Sequence, residues 1–149
     1  MQHARAQDVM VGTPVALSCS LLMHEVATAR DYRRLALRLL THHRGMSRLM
    51  EVLADECQQR CETLQRHDAL ARLPLPRTLP VSDRATPQFF VTENVMAYRL
   101  LWACQQRARH ALQHCRGALN VMLADTRPLL VSLVEQKEAE YRILQESHF

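Results

Sequence analysis

The chain has 149 residues, 48% of them apolar, enough for one domain around a single sizeable core. Three glycines and 5% aromatics disfavour sandwiches and barrels, which need glycine-rich turns and aromatic or β-branched strands, while 23% charged residues argue against a disordered chain. The net charge of +4, with 8 histidines to add to it in mild acid, is weakly basic and not concentrated: Arg30 to Arg38 interleaves Asp31, Tyr32 and Leu35 with its arginines, as a solvated helix face does, so no nucleic-acid partner is expected.

Taken in chain order, residues 1–14 read as a loose tail. The uncharged run from Val9 to Met23 contains Gly12 and Pro14, is too short to span a bilayer, and leads directly into a helical pattern. Five cysteines (19, 57, 61, 104 and 115) in a chain with no convincing export signal point to reduced thiols in the cytoplasm. The first helix is predicted over 15–43, with Leu21, Tyr32, Leu35 and Leu39 on one face and Leu22, Val26, Ala29, Ala36 and Leu40 beside them. His42, His43 and Arg44 suit its negative C-terminal dipole, and Gly45 suits a left-handed cap. A second helix over 46–71 buries Met46, Leu49, Met50, Leu53, Cys57, Cys61 and Leu64, and the short break implies an antiparallel hairpin.

Residues 72–91 hold Pro74, Pro76, Pro80 and Pro87 and cannot be helical throughout. The third helix, over 92–124, starts at Thr92 as N-cap, or at Thr86-Pro87 with a short extra turn. Its stripe is Ala97, Leu101, Cys104, Ala108, Ala111, Cys115 and Met122. The fourth, over 126–146, carries Pro128 in its first turn and buries Leu130, Leu133, Val134, Tyr141 and Leu144. A 26-residue helix is about 39 Å long, and a twenty-residue connection can span up to roughly 66 Å. The proline-rich segment can therefore cross the whole bundle. The expected fold is all-α, one domain over 15–149, a left-handed bundle of two antiparallel helix pairs joined by a long crossover between helices 2 and 3.

Glu25 is the most informative residue. It falls on the inward line Leu21, Glu25, Thr28, Tyr32, Leu35, Leu39, and a buried carboxylate needs a partner, a metal or a proton. Glu25-Val-Ala-Thr-Ala-Arg-Asp-Tyr32 on the first helix of a crossover bundle resembles the ferritin-like superfamily, its rubrerythrin branch in particular. Leu53-Ala-Asp-Glu-Cys-Gln-Gln-Arg60 looks like that branch's second-helix motif. Thr92-Glu-Asn and Leu133-Val-Glu-Gln-Lys-Glu-Ala-Glu140 resemble its second half, so the likeness runs from about Ser20 onward.

The resemblance implies a di-iron centre, held by one Glu from each of two helices and a Glu-x-x-His pair from each of the other two. Only Glu25 is retained at a ligand position without ambiguity. In the register of Leu53-Ala54, Cys57 and Arg60 stand where Glu and His should. Cys104, Gln105 or Gln106 replaces the third-helix Glu, and the fourth helix offers Lys137 and Glu140. Sliding the register brings in Glu56, or Glu135 with Glu138, but Glu is nowhere followed three residues later by His.

Glu25, Arg60, Arg107, Lys137 and Glu140 lie on or beside inward lines, and a buried ion-pair network in place of the metals is one expectation. The other is that Arg60 and Lys137 snorkel from the bundle edge. Cys57 with Cys61 and His110 with His114, each pair one turn apart, form an alternative metal set of zinc spacing, against which core cysteines are the plainer reading. The 7 methionines read as core filler. No glycine-rich phosphate loop, serine elbow or Cys–His pairing suggests catalysis. The sequence therefore points away from an enzyme: a ferritin-like protein without its di-iron centre and with no cofactor, in a non-redox binding or structural role. The alternative is an oxidoreductase or iron-handling protein that binds iron, manganese or zinc through irregular ligands. A homodimer and an unidentified protein or small-molecule partner are expected by analogy with the family alone.

Overall fold

Apolar residues recurring every three or four positions build four helices in the computed structural model, which describes residues 14–66, 90–121 and 126–148, with side chains from Cys19 onward. They are α1 (Pro14–Leu39), α2 (Arg44–Gln65), α3 (Asn94–Leu119) and α4 (Arg127–Glu146), and no strand occurs among the described residues. No described helix is long and apolar enough to cross a membrane. Most of the tail (1–13), residues 72–89 of the proposed crossover, the last residues of the expected second helix and Met122 lie outside the described residues.

Several boundaries differ from the sequence reading. α1 stops at Leu39, short of residue 43, because the His42 and His43 N–H groups both turn back to the Leu39 carbonyl, at 3.1 and 2.8 Å. Gly45 takes no left-handed cap. It sits in the first turn of α2, and no described glycine has a positive φ. His43 is instead the N-cap of α2, its backbone extended and its Nδ1 accepting the Met46 N–H at 3.0 Å. The hairpin is clamped by the Ser47 hydroxyl, which donates to the Ala36 carbonyl at 2.6 Å. α3 begins at Asn94 after Glu93, with no side-chain cap bond, so Thr92 is not its cap; α3 ends at Leu119. Thr126 precedes α4, with Pro128 in the first turn, where a missing N–H leaves no helical bond unmade.

The Val91 N–H donates to the Arg38 carbonyl at 2.8 Å, and His42 Nε2 meets Asn94 Oδ1 at 2.8 Å. α3 thus starts at the hairpin end of the bundle, where α1 ends and α2 begins. At the far end Leu22 packs with Cys61 and Leu64, and Leu21 with Leu112, Ala118 and Leu130. α1 and α4 run towards the hairpin; α2 and α3 both run away from it. The helices of each pair, α1 with α2 and α3 with α4, pack intimately, whereas α1 meets α3 and α2 meets α4 more loosely.

The expected apolar stripes form the core, with the correction that Leu40 is exposed, since the chain has left α1 before it. The core is not continuous. The largest cluster, at the hairpin end, contains Tyr32, Leu35, Met50, Leu53, Leu101 and Leu144. Two smaller clusters occupy the far end, one around Leu133 and one around Leu22.

Candidate functional site

Between those clusters lies a layer of buried charge. Glu25 of α1, Arg60 of α2, and Lys137 and Glu140 of α4 are each no more than 6% exposed. Arg60 Nε donates to Glu25 Oε2 at 2.9 Å and its Nη2 to Glu140 Oε2 at 2.5 Å. Lys137 Nζ contacts Glu25 Oε1 and lies 3.4 Å from Glu140 Oε2. Tyr32 Oη donates to the remaining oxygen, Glu140 Oε1, at 2.5 Å. Two carboxylates thus face two cations with no net charge.

Each member arrives by helical spacing. Glu25 and Tyr32 are two turns apart on the inner face of α1, and Lys137 and Glu140 are three apart on α4, so both of the latter point inward. Arg60 continues the α2 line through Leu53 and Cys57, and its Nη2 also lies 2.9 Å from the Cys57 sulfur. Leu53, Ala54, Cys57 and Arg60 are all buried and share the inner face of α2. The slid alternatives are surface groups: Glu56 and Glu135 are exposed, and Glu138 pairs with Arg116.

The electrostatics are those of mutual compensation. Burial alone would raise the Glu25 carboxyl, but the Lys137 ammonium and the Arg60 guanidinium outweigh it and hold the group below its ordinary value of 4.5. Burial disfavours the charged Lys137 amine, yet Glu140 and Glu25 leave it above its ordinary 10.5; Arg60 is raised in the same way. Burial, reinforced by Glu140, pushes the Tyr32 hydroxyl well above 10.0. Burial also pushes the Cys57 thiol far up, helped by Glu140 and Glu25, so Cys57 sits in the layer as a neutral thiol.

Other expected site residues fall elsewhere. Arg107 is 58% exposed and pairs with Asp31 at 3.7 Å, because it leaves the α3 stripe at Cys104 and Ala108 for the helix flank. Gln105 is a clamp within the α3–α4 pair, its Nε2 donating to the Leu144 carbonyl at 2.8 Å. The alternative set is not assembled. Cys57 and Cys61 are buried, His110 and His114 are exposed, and no three His, Cys, Asp or Glu among the described residues could hold a metal together. The layer does not suit a di-iron centre either: the Arg60 guanidinium and the Lys137 ammonium already engage the carboxylates that iron would need.

Sequence reasoning missed the two cavities that flank the layer. One, of about 250 Å³, lies between α1 and α3, reaching Tyr32, Lys137 and Glu140. The other, of about 380 Å³, lies between α2 and α4, reaching Arg60 beside Leu64, Leu133 and Ile143. Both open where the two helix pairs meet loosely. The small residues Ala27, Ala108 and Ala111 are the signal that could have revealed the first. His24, also on its wall, is lowered from its ordinary 6.5 by burial and then by Lys137. Comparison with family models, with curated proteins and with solved structures finds no match to this chain.

Proposed function

We propose that this chain is a ferritin-like bundle, related to the rubrerythrins, in which an ion-pair layer has replaced the di-iron centre and which acts in a non-redox binding or structural role. The observation that carries the reading is the position of Arg60 and Lys137, whose charged heads contact both Glu25 and Glu140 at the level where the resemblance puts metal. The directions of the helices support the crossover. α2 and α3 both start at the hairpin end, and α2 is about 33 Å long at 1.5 Å per residue, a separation that a connection crossing the bundle would span. Two clefts opening onto the layer suit binding better than catalysis, since the compensated ion pairs leave no poised acid, base or nucleophile.

The test is elemental analysis for iron, manganese and zinc on untagged protein from metal-supplemented cells. Far less than one equivalent of each is expected. A stoichiometric metal that survives gel filtration would overturn the proposal and favour an irregular metalloprotein.

A further inference from the structure

The four helices contribute unequally to the charge layer. α1, α2 and α4 send in Glu25, Arg60, Lys137 and Glu140, whereas α3 presents Ala108 and Ala111, both buried. Long side chains meet on one side of the layer and short ones stand on the other. The mismatch leaves the cavity of about 250 Å³ between α1 and α3. An apolar cavity of ~150 Å³ takes benzene, so this one has room for a single ring with a short substituent.

Charge and hydrogen bonding narrow the occupant. The layer is already balanced, and at the cavity rim Arg107 is balanced by Asp31. An ionic ligand would add an uncompensated charge to a largely apolar space. An ammonium group has three N–H donors, and the carboxylates of Glu25 and Glu140 take two of those on Lys137. The third has no acceptor among the described residues, and Lys137 forms part of the cavity wall. Glu140, in contrast, already receives Tyr32, Arg60 and Lys137. The cavity floor therefore offers a spare donor more readily than a spare acceptor.

We infer that this cavity binds a compact neutral molecule, one aromatic or alicyclic ring bearing a carbonyl, whose oxygen accepts from Lys137 Nζ while the ring lies on Ala27, Ala108 and Ala111. The inference rests on the binding role proposed above and gives it a ligand class.

Acetophenone, benzoate, 1-phenylethylammonium and ethylbenzene share one ring and differ in charge and acceptor. Titrated against the full chain by NMR, acetophenone is expected to bind, with the two ions and ethylbenzene weaker by about tenfold or more. The carbonyl ¹³C resonance of bound labelled acetophenone should lie at higher frequency than that of the ketone in an apolar solvent, as its oxygen accepts the hydrogen bond. Ala111→Phe fills the cavity and should weaken acetophenone by at least about tenfold. Ala139→Leu, in the cleft between α2 and α4, should leave the affinity unchanged. Ala27→Leu narrows the same cavity and serves if A111F does not fold by circular dichroism. Tighter binding of either ion, a bound carbonyl resonance at its apolar-solvent value, full affinity in the filled variant, or no binding by acetophenone would each overturn the inference. These outcomes leave the metal-free reading intact, because that reading stands or falls on the elemental analysis.

Discussion

Arg60 Nη2 stands 2.5 Å from Glu140 Oε2, joining α2 to α4 across 80 residues of sequence, while Nε of the same guanidinium holds Glu25 of α1 at 2.9 Å. One planar cation thus bridges carboxylates from two other helices, a geometry suited to arginine's fixed fork of donors. Because every member has a partner, the energetic consequences of substitution depend on what is left behind.

Removing a single member should be costly. Glu25→Gln leaves Arg60 and Lys137 to share Glu140, and Lys137→Met leaves Glu25 with Arg60 alone. Each is expected to destabilise the fold by about 3–5 kcal/mol, read from urea midpoints. Replacing the whole layer with apolar groups (Glu25→Leu, Arg60→Leu, Lys137→Met, Glu140→Leu and Tyr32→Phe) is expected to be neutral or stabilising by about 1–4 kcal/mol. A whole-layer variant less stable than E25Q would refute this account.

Stability should form a plateau bounded on both sides. Glu25 titrates below 4.5 when folded, so the unfolded chain binds its proton first. Its contribution is complete above the ordinary carboxylate value and is lost as pH falls through the lower folded value. Lys137 titrates above 10.5 when folded; its contribution is complete below 10.5 and is lost as pH rises through the higher folded value. His24, lowered from 6.5, resists protonation in the fold, so a shallower loss begins as pH drops below 6.5. In denaturation series across pH, His24→Gln should remove the shallow acid step and E25Q reduce the later one.

Tyr32 donates to Glu140 Oε1 from a position 3% exposed. Tyr32→Phe removes that donor without changing the ring and should cost about 1–3 kcal/mol through the unsatisfied carboxylate oxygen. The same variant should lose the step at the extreme alkaline end of the tyrosinate absorbance titration. Persistence of that step would show that the buried hydroxyl is not responsible.

Thiol reactivity should divide the cysteines. Cys57, Cys61, Cys104 and Cys115 are buried, and burial raises all four, Cys61 and Cys115 to about 11. Cys19 is only partly buried. A thiol reagent at neutral pH should label Cys19 first and the other four at the rate of local opening, as read by mass spectrometry. Rapid labelling of Cys57 would mean that the layer is open to solvent.

Much of the helical core was legible because a period of 3.6 residues marks the inner faces irrespective of partners. Glu25 stood out for the same reason, as a charge on an apolar line. Helix ends were less legible. His42, His43 and Gly45 fit a C-terminal cap by type, yet the chain uses His43 to start α2, a choice decided by hydrogen bonds to Leu39 and Met46. Arg107 looked inward by spacing and is outward in the fold, since one residue's shift around a helix separates a core position from a flank. The cavities could not be read at all from one helix: they arise from the loose meeting of two pairs, with alanines opposite long charged side chains.

A consequence of the layer concerns alignment. Sliding α1, α2 or α4 by one turn, about 5.4 Å, would carry an ammonium or carboxylate into the aliphatic clusters above or below. The ion pairs therefore act as a vernier, fixing the relative height of three helices, a task that interchangeable leucines perform poorly. α3 contributes no charge to the layer and is tied to α4 by the Gln105 amide on the Leu144 carbonyl and by the Arg116–Glu138 pair on the flank. The apolar whole-layer variant should keep its stability and lose this indexing, with doubled or broadened amide signals along α1, α2 and α4. A single sharp set of signals would show that packing alone sets the register.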